Sequence, residues 1–166
     1  MNVMRRLVLL SSVLCAGAVS LTPGDAVGGS TAVGSNCHVY NYQLTTPPPY
    51  LTDTNVIANA LYDTNAPLLG VVCSLPTENT LGTTVTFRAR VRDNSDTQVV
   101  SCYGEVYNQD GTAIVTSSTT STGVSFMGAS TLTRTVTVSP QSSSYTYNMI
   151  CTIPGNQSNI SSVRIY

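Results

Sequence analysis

The amino-acid sequence predicts an all-β protein, a Greek-key β-sandwich of immunoglobulin-like type preceded by an N-terminal signal peptide. Three observations favour this class: β-branched residues are abundant, apolar and polar residues alternate along several segments, and turn residues recur at sandwich spacing after Leu68. No segment after the signal has the spacing of an amphipathic helix, and residues 55–62 alone could form a helical turn.

The best-defined predicted strand covers residues 83–92. Its apolar side chains alternate with polar ones, which places one face in the core and the other in water. Residues 98–107 and 112–118 predict a hairpin with Gly111 in the turn. Further strands are predicted at residues 123–127, 131–138, 145–153 and 163–166.

The first residues have the pattern of a secretory signal. Arg5 and Arg6 precede an apolar run that is too short for a membrane span, which needs about 20 residues. We therefore expect a signal peptide over residues 1–20, cleaved between 18 and 26, and a secreted, extracellular or periplasmic protein. Residues 21–36 predict a flexible mature N-terminus, and residues 37–166 a single β-sandwich domain.

Cleavage of the signal would remove Cys15 and leave four cysteines. An even number in an exported chain predicts two disulfides, for which three pairings exist. We favour Cys37–Cys73 and Cys102–Cys151, because the first pair flanks the N-terminal segment and the second pair lies in strong strands.

Composition excludes several functions. The chain has seven arginines and no lysine, which rules out Schiff-base chemistry and a phosphate-loop lysine. The net charge of −1 gives no basic field for nucleic acid, so we expect no nucleic-acid partner. We also expect no cofactor.

Arg88, Arg90 and Arg92 form the most distinctive predicted surface. Guanidinium groups spaced about 7 Å along one strand can bind sulfated, uronic or phosphate-bearing polymers. The competing interpretation, which the sequence alone favours, is that these charges keep an exposed strand soluble and block edge pairing. The following loop offers Asp93 and Asp96 as calcium ligands, although the same residues also suit an ordinary tight turn.

Catalysis is poorly supported. The single histidine, His38, lies in a low-complexity region, and no nucleophile-elbow pattern is present. Tyrosines cluster at Tyr40, Tyr42, Tyr50 and Tyr62, where rings could stack on sugars or simply pack. We therefore expect a non-catalytic structural or binding module whose partner is an extracellular polysaccharide or another surface protein. The alternatives are a carbohydrate or anionic-polymer module that uses the Arg face and, more remotely, a small secreted hydrolase or enzyme inhibitor.

The chain resembles small uncharacterised secreted β-sandwich proteins of environmental bacteria. The resemblance lies in the signal, the early Cys37, the Val71-Val72-Cys73 strand and the late segment 150–154, Ile-Cys-Thr-Ile-Pro. It implies a disulfide-bonded sandwich and no particular activity or site.

Overall fold

The structure, a computed structural model, describes residues 30–40, 50–53, 56–61, 66–75, 83–138 and 144–166. The predicted signal peptide, residues 21–29, Tyr42 and Tyr62 lie outside the described residues. In the described part, no helix is long and apolar enough to cross a bilayer.

Two antiparallel six-stranded sheets face each other. The strands of sheet A are β1 Ser30–Val33, β3 Tyr50–Asp53, β4 Val56–Asn59, β6 Thr84–Asp93, β10 Gly128–Thr137 and β12 Asn159–Ile165. Their order is β10-β6-β12-β4-β3, and β1 also pairs with β12. The strands of sheet B are β2 His38–Val39, β5 Leu69–Leu75, β7 Ser101–Tyr107, β8 Ala113–Thr116, β9 Thr120–Ser121 and β11 Thr146–Ile153. Their order is β2-β5-β11-β7-β8, and β9 also pairs with β7.

The structure confirms the predicted Greek-key β-sandwich. The chain moves from one sheet to the other at each step from β4 to β7, stays in sheet B through β8 and β9, and then changes sheet again at each step from β9 to β12. The strands β4 to β8 and β10 to β12 are therefore arranged as a jelly roll, a sandwich built from two Greek keys. This strand order differs from that of the immunoglobulin-like sandwich that the sequence suggests.

The core lies between the sheets and is built from the inward members of each alternating strand. Phe87 of sheet A is fully buried and lies 6.4 Å, ring centre to ring centre, from Tyr147 of sheet B. Gly104 is the reason the Phe87 ring fits, because a Cβ at that position would lie 2.3 Å from the ring. Small and large inward residues thus interlock across the sandwich.

The disulfides are Cys37–Cys73 and Cys102–Cys151, the pairing that the sequence favours. Cys102 and Cys151 are direct partners on the neighbouring strands β7 and β11, with Cα atoms 4.1 Å apart. The bridge therefore lies within sheet B rather than across the core. The other bridge fixes the segment before β2 to β5 and so holds the edge of the same sheet.

Three local expectations are corrected. Residues 30–36, predicted as part of a flexible segment, form β1 and a 3-10 turn, because β1 completes its hydrogen bonds on β12. Residues 56–59, the possible helical turn, form β4 with Ile57 in the core. Residues 123–127 are a turn rather than a strand, and β10 begins directly after them.

We expect the folded state to lose stability in alkali through Tyr147. Burial raises the pKa of this phenol, and the nearby Tyr145 raises it further. Since the unfolded chain then ionises first, the contribution of Tyr147 to the free energy of unfolding should be constant below about pH 10 and should fall above it. Urea unfolding between about pH 8 and pH 11 measures this fall. Tyr147→Phe should reduce the fall in the free energy of unfolding above about pH 10, whereas Tyr166→Phe, at an exposed position, should not. If the unaltered chain and both variants lost equal stability, Tyr147 would not be the cause.

Candidate functional site

The candidate site is the outer face of sheet A, centred on β6. Val85, Phe87, Ala89 and Val91 point into the core, so that Arg88, Arg90 and Arg92 point outward. Arg90 and Arg92 are exposed, and Arg88 is half-buried. The sequence prediction of an arginine row on one face of this strand agrees with the side-chain directions in the sheet.

The neighbouring strands add to this row. Arg164 of β12 is the direct partner of Arg88, and Ser162 is the partner of Arg90. On the other side, Thr131 and Thr133 of β10 oppose Arg90 and Arg88. Four guanidinium groups are thus gathered with hydroxyl groups on three adjacent strands. We call this surface the Arg face, defined by Arg88, Arg90, Arg92 and Arg164.

A β-bulge shapes the middle of the Arg face. The register of β12 against β6 shifts between Ile160 and Ser162, and the Ser161 hydroxyl donates to the Arg90 carbonyl oxygen at 3.3 Å. Bulges bend a strand and redirect its side chains. Two adjoining depressions result. One, of about 150 Å³, is lined by Arg88, Arg90, Ser162 and Arg164. The other, of about 560 Å³, is lined by Arg90, Val91, Arg92, Ala129, Ser130, Thr131, Asn159 and Ser161.

The Arg face is not balanced by acidic groups on its own strands. Asp93 is the single acidic residue in β6, β10 and β12, and it points inward and is fully buried. Arg92 donates from Nε to the Asn94 side-chain oxygen at 3.2 Å, a neutral partner. Like charges directly opposite each other, as at Arg88 and Arg164, destabilise a sheet. An anion bound here would relieve that repulsion.

The loop proposed for calcium has a different geometry from an open cation site. Asp93 accepts hydrogen bonds from the backbone N–H groups of Ser95 and Val100 at 3.0 and 3.1 Å. It also accepts from the hydroxyl groups of Thr122 and Ser158. Asp96 is exposed. Calcium binding at Asp93 and Asp96 stays a prediction. The hydrogen bonds of Asp93 are those expected for the competing interpretation, an ordinary tight turn.

Other candidate residues lie elsewhere. His38 is exposed on β2, at the edge of sheet B. Tyr50 is exposed on β3 of sheet A, whereas Tyr40 lies beside β5 of sheet B. The structure therefore does not bring these two tyrosines together on one sheet. In the described residues, no cluster of three or more His, Cys, Asp or Glu side chains could hold a metal ion.

Sequence reasoning missed Arg164 and the outward tyrosines of β7. The alternation of the last strand could have indicated that Arg164 points outward, but its place beside Arg88 depends on a pairing between distant segments. On β7, the inward Cys102 and Val106 already imply that Tyr103, Glu105 and Tyr107 point outward.

Comparisons with known proteins give distant similarities only. No protein-family model matches the chain, and no curated protein matches it. The enzymatically active domain of tailspike protein 4 from bacteriophage CBA120 is similar over 83% of this chain and 18% of that one, with 12% identity and a TM-score of 0.45. An Arthrobacter globiformis T6 isomalto-dextranase complexed with panose is similar over 87% of this chain and 24% of that one, with 12% identity and a TM-score of 0.43.

A third similar structure is a carbohydrate-binding module of Cellvibrio mixtus lichenase 5A in complex with cellotriose. The similarity covers 82% of this chain and 95% of that one, with 14% identity and a TM-score of 0.44. This chain spans less than a quarter of the tailspike and dextranase chains. The strand order of the two sheets defines the fold of this chain.

We expect Asp93→Asn to lower the free energy of unfolding by about 2–4 kcal/mol, because an amide NH₂ group would face buried donors and leave them without acceptors. Urea or thermal unfolding measures the change. Asp96→Asn, at an exposed position in the same loop, is the matched control and should change stability by less than about 0.5 kcal/mol. If calcium, rather than hydrogen bonds, held the loop, both variants would lose a calcium-dependent stabilisation.

Proposed function

We propose that the mature chain is a secreted, non-catalytic binding module whose Arg face binds anionic polysaccharide. The observation that supports this most directly is the position of the arginines on β6, a strand in the interior of sheet A. β6 is paired with β10 over residues 84–93 on one side and with β12 over residues 87–92 on the other, so each of the three arginines has a neighbouring strand on both sides. Its charges are not needed to block edge pairing, so of the competing explanation of the row only the solubility of an exposed face is left.

The electrostatics of the Arg face favour an anionic ligand. Arg88 and Arg164 face each other across adjacent strands, and the three strands place no carboxylate on this side. Like charges that face each other raise the free energy of the folded state, and a bound sulfate or carboxylate group would reduce this repulsion. Guanidinium groups bind such anions through two parallel hydrogen bonds, and this geometry favours Arg over Lys.

The shape of the Arg face suits a chain-like ligand rather than a single ion. Arg88 and Arg92 are separated by four residues of extended strand, about 14 Å. The two depressions lie along this line and share Arg90. Between the charges, the hydroxyls of Thr131, Ser161 and Ser162 offer donors and acceptors to uncharged parts of a sugar. A polymer with repeated anionic groups could contact the whole line.

The secreted and non-catalytic parts of the proposal have separate support. Two disulfides are typical of oxidising compartments, where extracellular polysaccharides are found. The single histidine lies at the edge of sheet B, the sheet opposite the Arg face. A binding role needs neither a general base nor a metal. It needs hydrogen-bond donors with positive charge, which the guanidinium groups of the Arg face provide.

Affinity electrophoresis and retention on immobilised polysaccharides test the proposal. We expect the mature chain to bind sulfated and uronic polymers and to be released from them by salt. The triple variant with Arg88, Arg90 and Arg92 changed to Gln should bind anionic polymers about 100-fold more weakly, at roughly 1 kcal/mol for each lost contact.

Two controls separate a specific site from net charge. Arg134→Gln removes an arginine that instead bonds the Thr119 carbonyl oxygen, and it should leave binding nearly unchanged. Changing the same three arginines to Lys keeps the charge but removes the paired hydrogen bonds, so binding should be intermediate. Equal effects of Arg90→Gln and Arg134→Gln would show that charge alone matters. Unchanged binding by the triple variant would overturn the proposal.

A further inference from the structure

The outer face of sheet B carries a second, chemically different surface. Its outward side chains on β7 are Tyr103, Glu105 and Tyr107, and all three are half-buried rather than exposed. On the adjacent β11, Ile150 also points outward but retains only 7% exposure. A cleft of about 350 Å³ lies here, lined by Tyr40, Val72, Tyr103, Glu105, Tyr107, Asn148 and Ile150. We call it the tyrosine cleft.

The floor of the tyrosine cleft contains a buried acceptor without a donor. The side-chain oxygen of Asn148 has almost no accessible surface and no hydrogen-bond partner, while the rest of the residue lines the cleft, so a ligand donor reaches this oxygen once the amide group turns toward the cleft. Asn148 lies between Ser74 of β5 and Glu105 of β7 in the sheet. Buried polar atoms in folded proteins are nearly always paired, so an unpaired one inside a cleft points to a donor supplied from outside.

Glu105 places a second acceptor beside the first. It is the direct cross-strand partner of Asn148, and its carboxylate accepts a hydrogen bond from the Tyr107 hydroxyl. A carboxylate has acceptor sites for several donors, so that bond leaves capacity for a ligand. Two acceptors on adjacent strands, with residues about 5 Å apart, match two neighbouring hydroxyl donors.

Apolar surface adjoins these acceptors. Ile150 lies between Val72 and Tyr103 in the sheet, so that an aliphatic strip and an aromatic ring are next to each other. A sugar ring has C–H groups on its faces and hydroxyl groups around its rim, and it would cover this strip while donating to Asn148 and Glu105. A single ammonium group could satisfy both acceptors from one point but would leave the strip uncovered.

We propose that the tyrosine cleft binds an uncharged oligosaccharide, independently of the Arg face. The negative charge of Glu105 disfavours sulfated and uronic chains at this position. The cleft and the Arg face lie on the outer sides of opposite sheets, so the two sites would select neutral and anionic glycans respectively. This inference does not depend on the proposed function of the Arg face, because none of its residues is shared.

Titration calorimetry or NMR titration with cellohexaose, xylohexaose, mannohexaose and maltohexaose tests this site. At least one of them should bind, and its affinity should be the same at low and moderate salt because no ion pair forms. Tyr103→Ala and Asn148→Leu should each weaken that binding by about ten-fold or more. The triple Arg-to-Gln variant of the Arg face should bind the same sugar as well as the unaltered chain does.

Asn148→Leu separates a ligand site from a structural role. Since it removes an acceptor that has no partner, the variant should unfold at the same or higher urea concentration while losing sugar binding. A loss of stability, with sugar affinity unchanged, would show that Asn148 is merely structural and would overturn the proposal. Failure of all four sugars, or binding of methylammonium that is lost in Glu105→Gln, would also overturn it.

Discussion

The buried carboxylate of Asp93 is the interaction on which one end of the sandwich depends. Asp93 ends β6 of sheet A, and its oxygens accept from Val100 just before β7, from Thr122 after β9, and from Ser158 before β12. One side chain therefore joins segments of both sheets. Because removing a buried carboxylate from water is costly, it is stable only when its lone pairs are used in this way. The same arrangement fixes the last residue of β6 and hence the outward direction of Arg92.

A second polar group joins the sheets nearby. Asn59 is fully buried, and its amide group donates to the carbonyl oxygens of Pro67 and Ile153 while its oxygen accepts from the Leu61 N–H. All hydrogen-bonding groups of its side chain are thus in use. In contrast, Asn148 is an asparagine with a buried oxygen that has no partner. The difference between these two amides is that Asn59 uses all its hydrogen-bonding groups to hold the fold, whereas Asn148 keeps an unpaired oxygen beside the proposed tyrosine cleft.

The features that can be predicted from the sequence are those that depend on the alternation of side chains along a strand. This alternation places Arg88, Arg90 and Arg92 on one side of β6, and continuing the same alternation by one step would have placed Asp93 inward, despite its turn-like neighbours. It does not reach the pairing of β12 with β6, the bulge at Ser161 or the contact of Arg164 with the row, because these depend on register between distant segments. The unpaired oxygen of Asn148 is likewise a property of its surroundings, which no local pattern encodes.

The two surfaces have a common origin in one segment of chain. β6 and β7 are consecutive strands, yet they lie in opposite sheets, so their inward residues meet in the core while their outward residues point in opposite directions. Gly104 of β7 makes space for Phe87 of β6, and this contact fixes the position of each strand across the sandwich. Because packed sheets are about 10 Å apart, ligands on the two outer faces would not collide. A single rigid crossover can therefore present arginines to an anionic chain on one side and tyrosines with a carboxylate to a neutral chain on the other. Such a module could link two different glycans without any change of shape.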